Sequence, residues 1–300
     1  MGLIAMPASF HVLLQALWSK LIDHDIDAAT LAALIRLVRK HTGIAMTEKK
    51  SVLLQGRLRP RIRTLGLTGY KDYVEHVLAH AGEVQTFINL VTTNDTVFFR
   101  TPHVWDYFSN QFLPAWHARH ASQTLKIWSA AAASGEEAYS IAMLCEQFLL
   151  QHPDFQYQIL GTDISTEMLT AAGLGLYGGR SVERLGLSHP LLKKTYFVQQ
   201  GDTLEVLPVL KRHLRFAEHN LLTCLPQRDQ FDLIFLRNVL IYFDEINQQC
   251  VVEQVRKSMK DDARLVLGES ETLGRIHTAY HYEIPMVYSI SRIPTWRSPC

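Results

Sequence analysis

Beyond residue 120, short apolar runs with strand character alternate with helical stretches, and the runs end in polar residues. LKIWSAA (125–131) leads through AASGEE into the helical AYSIAMLCEQFLL. YQILGTDIS (157–165) ends in an acid and precedes a helix near 166–172. FDLIFLRNVLIYF (231–243) runs into a polar turn, ARLVLGES (263–270) supplies another strand, and YHYEIPMVYSISRI (280–293) supplies two β-rich pieces around Pro285. Strands that alternate with helices build a parallel, doubly wound α/β sheet. Ligands in such sheets bind beyond the carboxyl ends of the strands, and the polar residues of these runs fall there.

The first third reads as helices alone. Leu31, Leu34, Ile35 and Val38 recur at helical spacing over 27–42, with Asp27 as N-cap and Gly43 as stop. Further helices are expected from 47 to 65, from Thr68 with Tyr73, Val74, Val77 and Leu78 on one side, and over 83–91 with Phe87, Ile88 and Leu90. A chain of 300 residues exceeds what one core usually holds, so a small helical unit ahead of a larger α/β domain is expected. Nine basic side chains lie between Arg36 and Arg63 against one acid, Glu48. In a helix Arg57 stacks with Arg61, and Arg59 with Arg63. The patch reads either as a solvated face or as a dock for an acidic partner. Pro60 removes a backbone donor and should kink or restart the helix.

Composition excludes several classes. At 47% hydrophobic and 20% charged the chain is neither disordered nor fibrous. A net charge of +1 argues against a protein that coats nucleic acid. Cys145, Cys224, Cys250 and Cys300 form no Cys-x-x-Cys pair, which suits a reducing compartment. No apolar run approaches the ~20 residues that span a bilayer. The start lacks the positive charge of a secretory signal, Met6 breaks a myristoylation motif, and Cys300 is not the cysteine of a prenylation box. The expectation is a cytoplasmic protein without membrane insertion. His277 and His281 have helical spacing but no third ligand, so no metal is expected.

The bend at 129–135 is made of Ser129, four alanines, Ser134 and Gly135. Small residues let a backbone approach a ligand closely, yet the three glycines of a dinucleotide fingerprint are absent. Glu136 and Glu137 open the next helix and would repel a pyrophosphate. Asp163, at the following strand's end, is placed to accept from ribose hydroxyls. A ribose-containing, cation-bearing ligand points to S-adenosylmethionine. Two plainer readings stay open: that Glu136 and Glu137 merely cap the helix, and that Asp163 is an N-cap.

TTNDTVFFR (92–100), IWSAAAASGEEAYSIAM (127–143), ILGTDIS (159–165), FAEHNLL (216–222) and FDLIFLRNVLIYFD (231–244) resemble, in order, the CheR family of S-adenosylmethionine-dependent chemotaxis receptor methyltransferases. HTGIAMTEKKSVLLQGRLRPRIRTLGLTGYKDYV (41–74) resembles that family's helical domain. The resemblance implies an all-helical domain over 20–91 and a Rossmann-like methyltransferase domain over 92–300 with an inserted antiparallel β-subdomain about 194–217. It implies methyl transfer to glutamate side chains of a methyl-accepting chemotaxis receptor's signalling region, with S-adenosylhomocysteine as product, by a monomer that binds no nucleic acid.

The resemblance also implies roles. Asn94, Thr96, Arg100, Glu137, Asp163, Asn220, Leu221, Arg237 and Asn238 match cofactor-binding positions, and Tyr242 matches the tyrosine beside the transferred methyl. Arg100 and Tyr242 are the catalytic candidates, and Arg57, Arg59, Arg61 and Arg63 the substrate-docking ones. Ala133-Ser134 replaces the usual Ser-Thr, Ala138 replaces a common proline, and no glycine-rich receptor-peptide segment is evident at 196–216. A glutamate acceptor of pKa ≈ 4.3 is already ionised at neutral pH, so no general base is required. Two alternatives remain. A nucleic-acid methyltransferase would need a base-accepting motif that is not seen. A CheR-like module that keeps the cofactor pocket as a sensor would bind without transferring.

Overall fold

The computed structural model describes residues 26–226 and 230–290. The chain divides into two units between Thr92 and Thr93. The expectations about residues 1–25, the domain start at residue 20, positions 291–293 and Cys300 lie outside the described residues.

The first unit holds α1 (Ala28–Thr42), α2 (Ser51–Thr64), α3 (Tyr70–Ala79) and α4 (Ala81–Val91). Asp27 caps α1 by accepting from the Thr30 N–H at 3.0 Å. Gly43 stops it at φ 74°, a left-handed conformation that glycine adopts without a Cβ penalty. Leu34, Val38, Leu54, Leu58, Ile62, Tyr73 and Phe87 form its fully buried core. Burying each such side chain stabilises the unit by about 1.5–3 kcal/mol. Two expectations need correction. Leu78 is exposed, because Tyr70, Tyr73, Val74 and Val77 already fill the inner face of α3. Pro60 does not make the helix restart: α2 runs through it from Ser51 to Thr64.

The second unit opens with α5 (Pro102–Tyr107), a π-helical turn (Phe108–Phe112) and α6 (Leu113–Arg119). Next come β1 (Thr124–Ala130), α7 (Glu136–Gln151), β2 (Gln156–Asp163), α8 (Thr166–Leu174) and β3 (Leu176–Tyr177). Then follow α9 (Gly179–Ser188), α10 (Pro190–Tyr196), β4 (Phe197–Gln200), β5 (Thr203–Val206), α11 (Pro208–Lys211) and β6 (Leu214–Glu218). The rest is β7 (Phe231–Leu236), α12 (Glu245–Arg256), β8 (Met259–Leu267), β9 (Tyr280–Ile284) and β10 (Val287–Ile290).

The large sheet has the order β6-β2-β1-β7-β8-β10-β9. The first five strands are parallel and the last two form an antiparallel hairpin. Alternate residues of the central strands face opposite layers. Ile127, Leu233 and Phe235 pack with Trp105, Phe108 and Ile141 of α5, the π turn and α7. Trp128, Ile234 and Leu236 pack with Val251, Val252 and Val255 of α12. Burial on both faces is why FDLIFL is apolar almost throughout. The chain builds outward from β1 to β2 and β6, then returns to β7 on the other side of β1. That reversal sets a topological switch at the carboxyl ends of β1 and β7.

The inserted sheet differs from expectation. Its order is β3-β5-β4, antiparallel, so its third strand lies upstream at Leu176–Tyr177. Residues 214–217 instead belong to β6, paired in parallel with β2. A short alternating run fits either sheet. Gly161 on β2 decides it, because the Phe216 ring occupies the space a Cβ would need there, 2.6 Å away.

Candidate active site

The bend after β1 is built on strained backbone. Ala131 and Ala133 have φ of 82° and 47°, and Gly135 has φ 95°. Non-glycine residues tolerate such values poorly, and short side chains tolerate them best. The bend is tied to the next strand: Ala131 and Ala132 N–H both donate to the Thr162 carbonyl, at 2.9 and 2.8 Å. The Ala133 N–H donates to Asp163 Oδ2 at 2.9 Å, and Tyr177 Oη donates to the Ser134 carbonyl at 2.7 Å. A Cβ on Gly135 would stand 2.9 Å from Ala172 Cβ, so the position has neither room nor φ for a side chain.

Asp163 is 8% exposed. Its Oδ1 accepts from the Ser165 N–H at 2.9 Å. Burial pushes this carboxyl above the usual aspartate range, opposed by the N–H bonds from Ser165 and Ala133. Ser165, not Asp163, caps α8, so Asp163 braces the bend instead.

The two acids that open α7 do more than cap it. Glu137 accepts from Ser129 Oγ at 2.7 Å and from Arg237 Nη1 at 2.9 Å. Glu136 accepts from Ser134 Oγ at 2.6 Å and from Ser181 Oγ at 3.1 Å. The Arg237 side chain is 1% exposed. Its Nη2 donates to the Arg100 carbonyl at 2.8 Å, and its guanidinium lies 5.6 Å from the Trp105 ring centre. Its Nε has no hydrogen-bond partner. The guanidinium is thus a buried tie between the end of β7, the bend and the linker. Removing one partner of such a pair typically costs 3–5 kcal/mol, roughly.

The linker is strained in turn, with Phe99 at φ 51° and Thr101 at φ 63°. The Phe99 N–H donates to Ser140 Oγ on α7 at 3.1 Å. The Arg100 carbonyl accepts from Trp105 Nε1 as well as from Arg237, which fixes the peptide. The half-exposed Arg100 guanidinium donates to the Asp95 carbonyl at 2.9 Å through Nη1 alone, so its other donors can hold a carboxylate. Asn94 and Thr96 are half-buried on the same segment. After β6, the His219 N–H donates to the Asp163 carbonyl, which sets Asn220 and the buried Leu221 beside β2. Asn220 Oδ1 accepts from the Leu222 N–H at 3.1 Å.

Sequence reasoning missed Glu271. This buried acid takes four backbone N–H donors. Oε2 accepts from Asn238 at 2.8 Å and Gly268 at 2.6 Å, and Oε1 from Val239 and Leu240 at 2.8 Å each. It holds Asn238 at φ 60° and starts the 3-10 turn Leu240–Tyr242. A Cβ on Gly268 would lie 2.5 Å from Glu271 Oε2, so the approach requires that glycine. In GESETLG nothing distinguishes Glu271 from the exposed Glu269. The distinction arises only when the two strand ends meet. Tyr242 is half-buried on this turn, and its hydroxyl has no partner among the described residues.

Glu137, Arg237 and the Arg100 carbonyl therefore form one bonded array at the switch point, Asp163 braces the adjoining bend and Glu271 holds Asn238, with Asn220 and Tyr242 on nearby turns. The four docking arginines belong to the other unit, and two of them are engaged internally. Arg57 Nη1 donates to the Val91 and Thr92 carbonyls at 2.7 and 2.9 Å. Arg61 forks onto buried Glu83 at 2.9 and 2.6 Å, and Tyr73 Oη donates to the same carboxylate at 3.0 Å. Arg59 is half-buried, and Arg63 alone of the four is fully exposed. Arg57 and Arg61 thus make bonds within their own unit while staying half-exposed. His281 lies in β9, so its spacing from His277 is not helical. No group of three or more potential metal ligands is assembled among the described residues. No helix among them is long and apolar enough to cross a membrane.

The donor set fits S-adenosylmethionine better than a phosphate ligand. It offers a buried carboxylate at the second strand's end, an arginine fork, and acids where a phosphate site has bare helix N–H groups.

Comparison with known proteins agrees. The family model described as "CheR methyltransferase, SAM binding domain" matches residues 94–287. The model described as "CheR methyltransferase, all-alpha domain" matches residues 29–92. The "Chemotaxis protein methyltransferase" of Borreliella burgdorferi is 33% identical over 275 residues, 89% of this chain and 96% of its own. That of Escherichia coli is 34% identical over 266 residues, 86% of this chain and 89% of its own. The "Probable chemotaxis protein methyltransferase" of Rhizobium etli is 34% identical over 242 residues, 78% of this chain and 89% of its own. The chain therefore belongs to the CheR methyltransferase family, S-adenosylmethionine-dependent enzymes with an all-α domain ahead of the cofactor-binding domain.

Proposed function

We propose that this enzyme methylates glutamate side-chain carboxylates on the signalling region of methyl-accepting chemotaxis receptors, acting in the cytoplasm as a monomer. One observation carries the choice of acceptor: the carboxylates at the site are already bonded to protein donors. Asp163 receives N–H groups of Ala133 and Ser165 among others, Glu137 a hydroxyl and a guanidinium, Glu136 two hydroxyls and Glu271 four N–H groups. These four carboxylates are occupied in holding the site together, which suits an acceptor that is already anionic at neutral pH and needs no general base.

When bound, the cofactor supplies an electrophilic methyl group on a sulfonium and leaves as S-adenosylhomocysteine. Asp163 accepts from the ribose hydroxyls. Asn220 and Leu221 flank the adenine, and Asn94 and Thr96 line the same pocket. Arg100 holds a carboxylate in its fork. Glu137, Arg237 and Asn238 shape the floor. Tyr242 donates to the acceptor carboxylate and keeps one oxygen in line with the methyl group. Orientation of this kind is the main catalytic resource, since well-aligned reactants gain as much as ~7–11 kcal/mol. The exposed basic side chains of the helical unit, Arg36, Arg39, Lys40, Lys49, Lys50 and Arg63, attract the acidic receptor helix.

The test is incubation with methyl-labelled cofactor and purified receptor signalling domains. Base-labile label on glutamate is expected, and Tyr242→Phe should lower kcat about tenfold, equivalent to about 1.4 kcal/mol, without changing cofactor affinity. Cofactor binding without any base-labile label would instead favour a sensor.

A further inference from the structure

We propose that the outward face of α9 and α10 docks an acidic amphipathic helix. The inference rests on the reading above and extends it to a second receptor contact, within the methyltransferase unit itself.

Arg180, Arg184 and Leu187 are exposed at spacings of four and three along α9, so they share one face. Leu187 is 87% exposed, and Leu191 at the start of α10 is 77% exposed. Neither is needed inside, because Leu185, Leu192 and Tyr196 bury the opposite faces of the two helices. Exposed cations flank the two leucines along the chain, Arg184 three residues before Leu187 and Lys194 three residues after Leu191. The acid on that face is Glu183, and Arg180 pairs with Asp95 of the linker. The two short helices thus offer exposed leucines with exposed cations beside them in the sequence.

The strip is anchored at both ends to the catalytic array. Ser181 Oγ donates to Glu136 Oε1 at 3.1 Å, and the His189 ring stacks on Phe99 with 3.8 Å between centroids. A helix seated on Leu187 and Leu191 lies beside the bend and the linker. Charge complementarity selects an acidic helix, and the exposed leucines demand that it carry an apolar stripe. A nucleic acid would satisfy the cations and leave the leucines in water.

The test uses the full chain saturated with S-adenosylhomocysteine and a fluorescent synthetic helix with a leucine stripe flanked by glutamates. Anisotropy should show binding that Leu187→Ser with Leu191→Ser weakens about tenfold. Arg184→Glu with Lys194→Glu should weaken it comparably and flatten its salt dependence. A helix with lysine in place of glutamate should not bind. Unchanged affinity in both double variants overturns the proposal. So does a leucine variant that only converts a dimer to a monomer in sedimentation, which would make the strip a self-association face. Circular dichroism melts verify that these exposed substitutions leave the fold intact. Labelled methyl transfer by the wild-type chain is scored separately, so its absence counts against the proposed function and not against the strip.

Discussion

Asp163 joins structure to chemistry in one side chain. Its oxygens hold the N–H groups of Ala133 and Ser165, and in the proposed function the same carboxylate accepts from a ribose. Burial raises its pKa, chiefly through desolvation. The sign follows directly. Acid protonates a group that the fold prefers neutral, so lowering the pH does not weaken the fold at this position, but it removes an acceptor from the cofactor. Affinity for S-adenosylhomocysteine should be full above the raised pKa and fall by up to about tenfold per pH unit below it. Calorimetry across this range checks the slope, and Asp163→Asn should bind weakly with the slope abolished. A pH-independent affinity in the wild type would contradict the assignment. Asp163 and the alanine bend were legible in the sequence because both stand at strand ends. The roles of Arg237 and Glu137 toward each other were not, since the two residues are 100 positions apart and meet only through the pairing of β1 with β7.

At the scale of elements, the turn from Asn238 to Tyr242 is held from outside itself. Four N–H groups converge on Glu271, and a glutamine there offers one carbonyl oxygen with two acceptor sites. Glu271→Gln should leave two donors facing an amide NH2, at about 1–3 kcal/mol per unsatisfied donor. The expected result is a kcat about tenfold lower through misplacement of Tyr242, with partial recovery in Glu271→Asp. Equal kcat in Glu271→Gln and wild type would show that the turn is held by other means. The sequence located β7 and its polar end but not the acid that sets the end's shape. α2 teaches a related point. Pro60 signalled a break, and the helix nonetheless continues from Ser51 to Thr64. The third strand of the small sheet escaped notice because Leu176–Tyr177 is two residues long and shows no alternation.

At the scale of the molecule, the chain consists of two units with separate cores. In the helical one, a buried charge replaces what apolar patterning would suggest. The hydrogen bond from Arg61 holds the Glu83 carboxyl below its usual value of 4.5. A depressed carboxyl stabilises the fold above the unfolded pKa, and that contribution is lost as pH falls through the folded value. Amide protection over 70–91 in the full chain, corrected for the intrinsic exchange rate at each pH, should therefore fall below about pH 4.5 in the wild type, and Glu83→Gln should be poorly protected at neutral pH already. Exchange equally slow in both would mean that Glu83 contributes nothing. Helix periodicity and strand alternation were enough to read two units and a parallel sheet. A buried carboxylate paired with a half-exposed arginine carries no periodic signature. The central claim, that the bend at the end of β1 seats S-adenosylmethionine, is tested most directly by titrating the intact chain with S-adenosylhomocysteine in a calorimeter. Saturable uptake at one site is expected, weakened at least about tenfold by Asp163→Ala. No uptake by the wild type, or equal uptake by the variant, would contradict it.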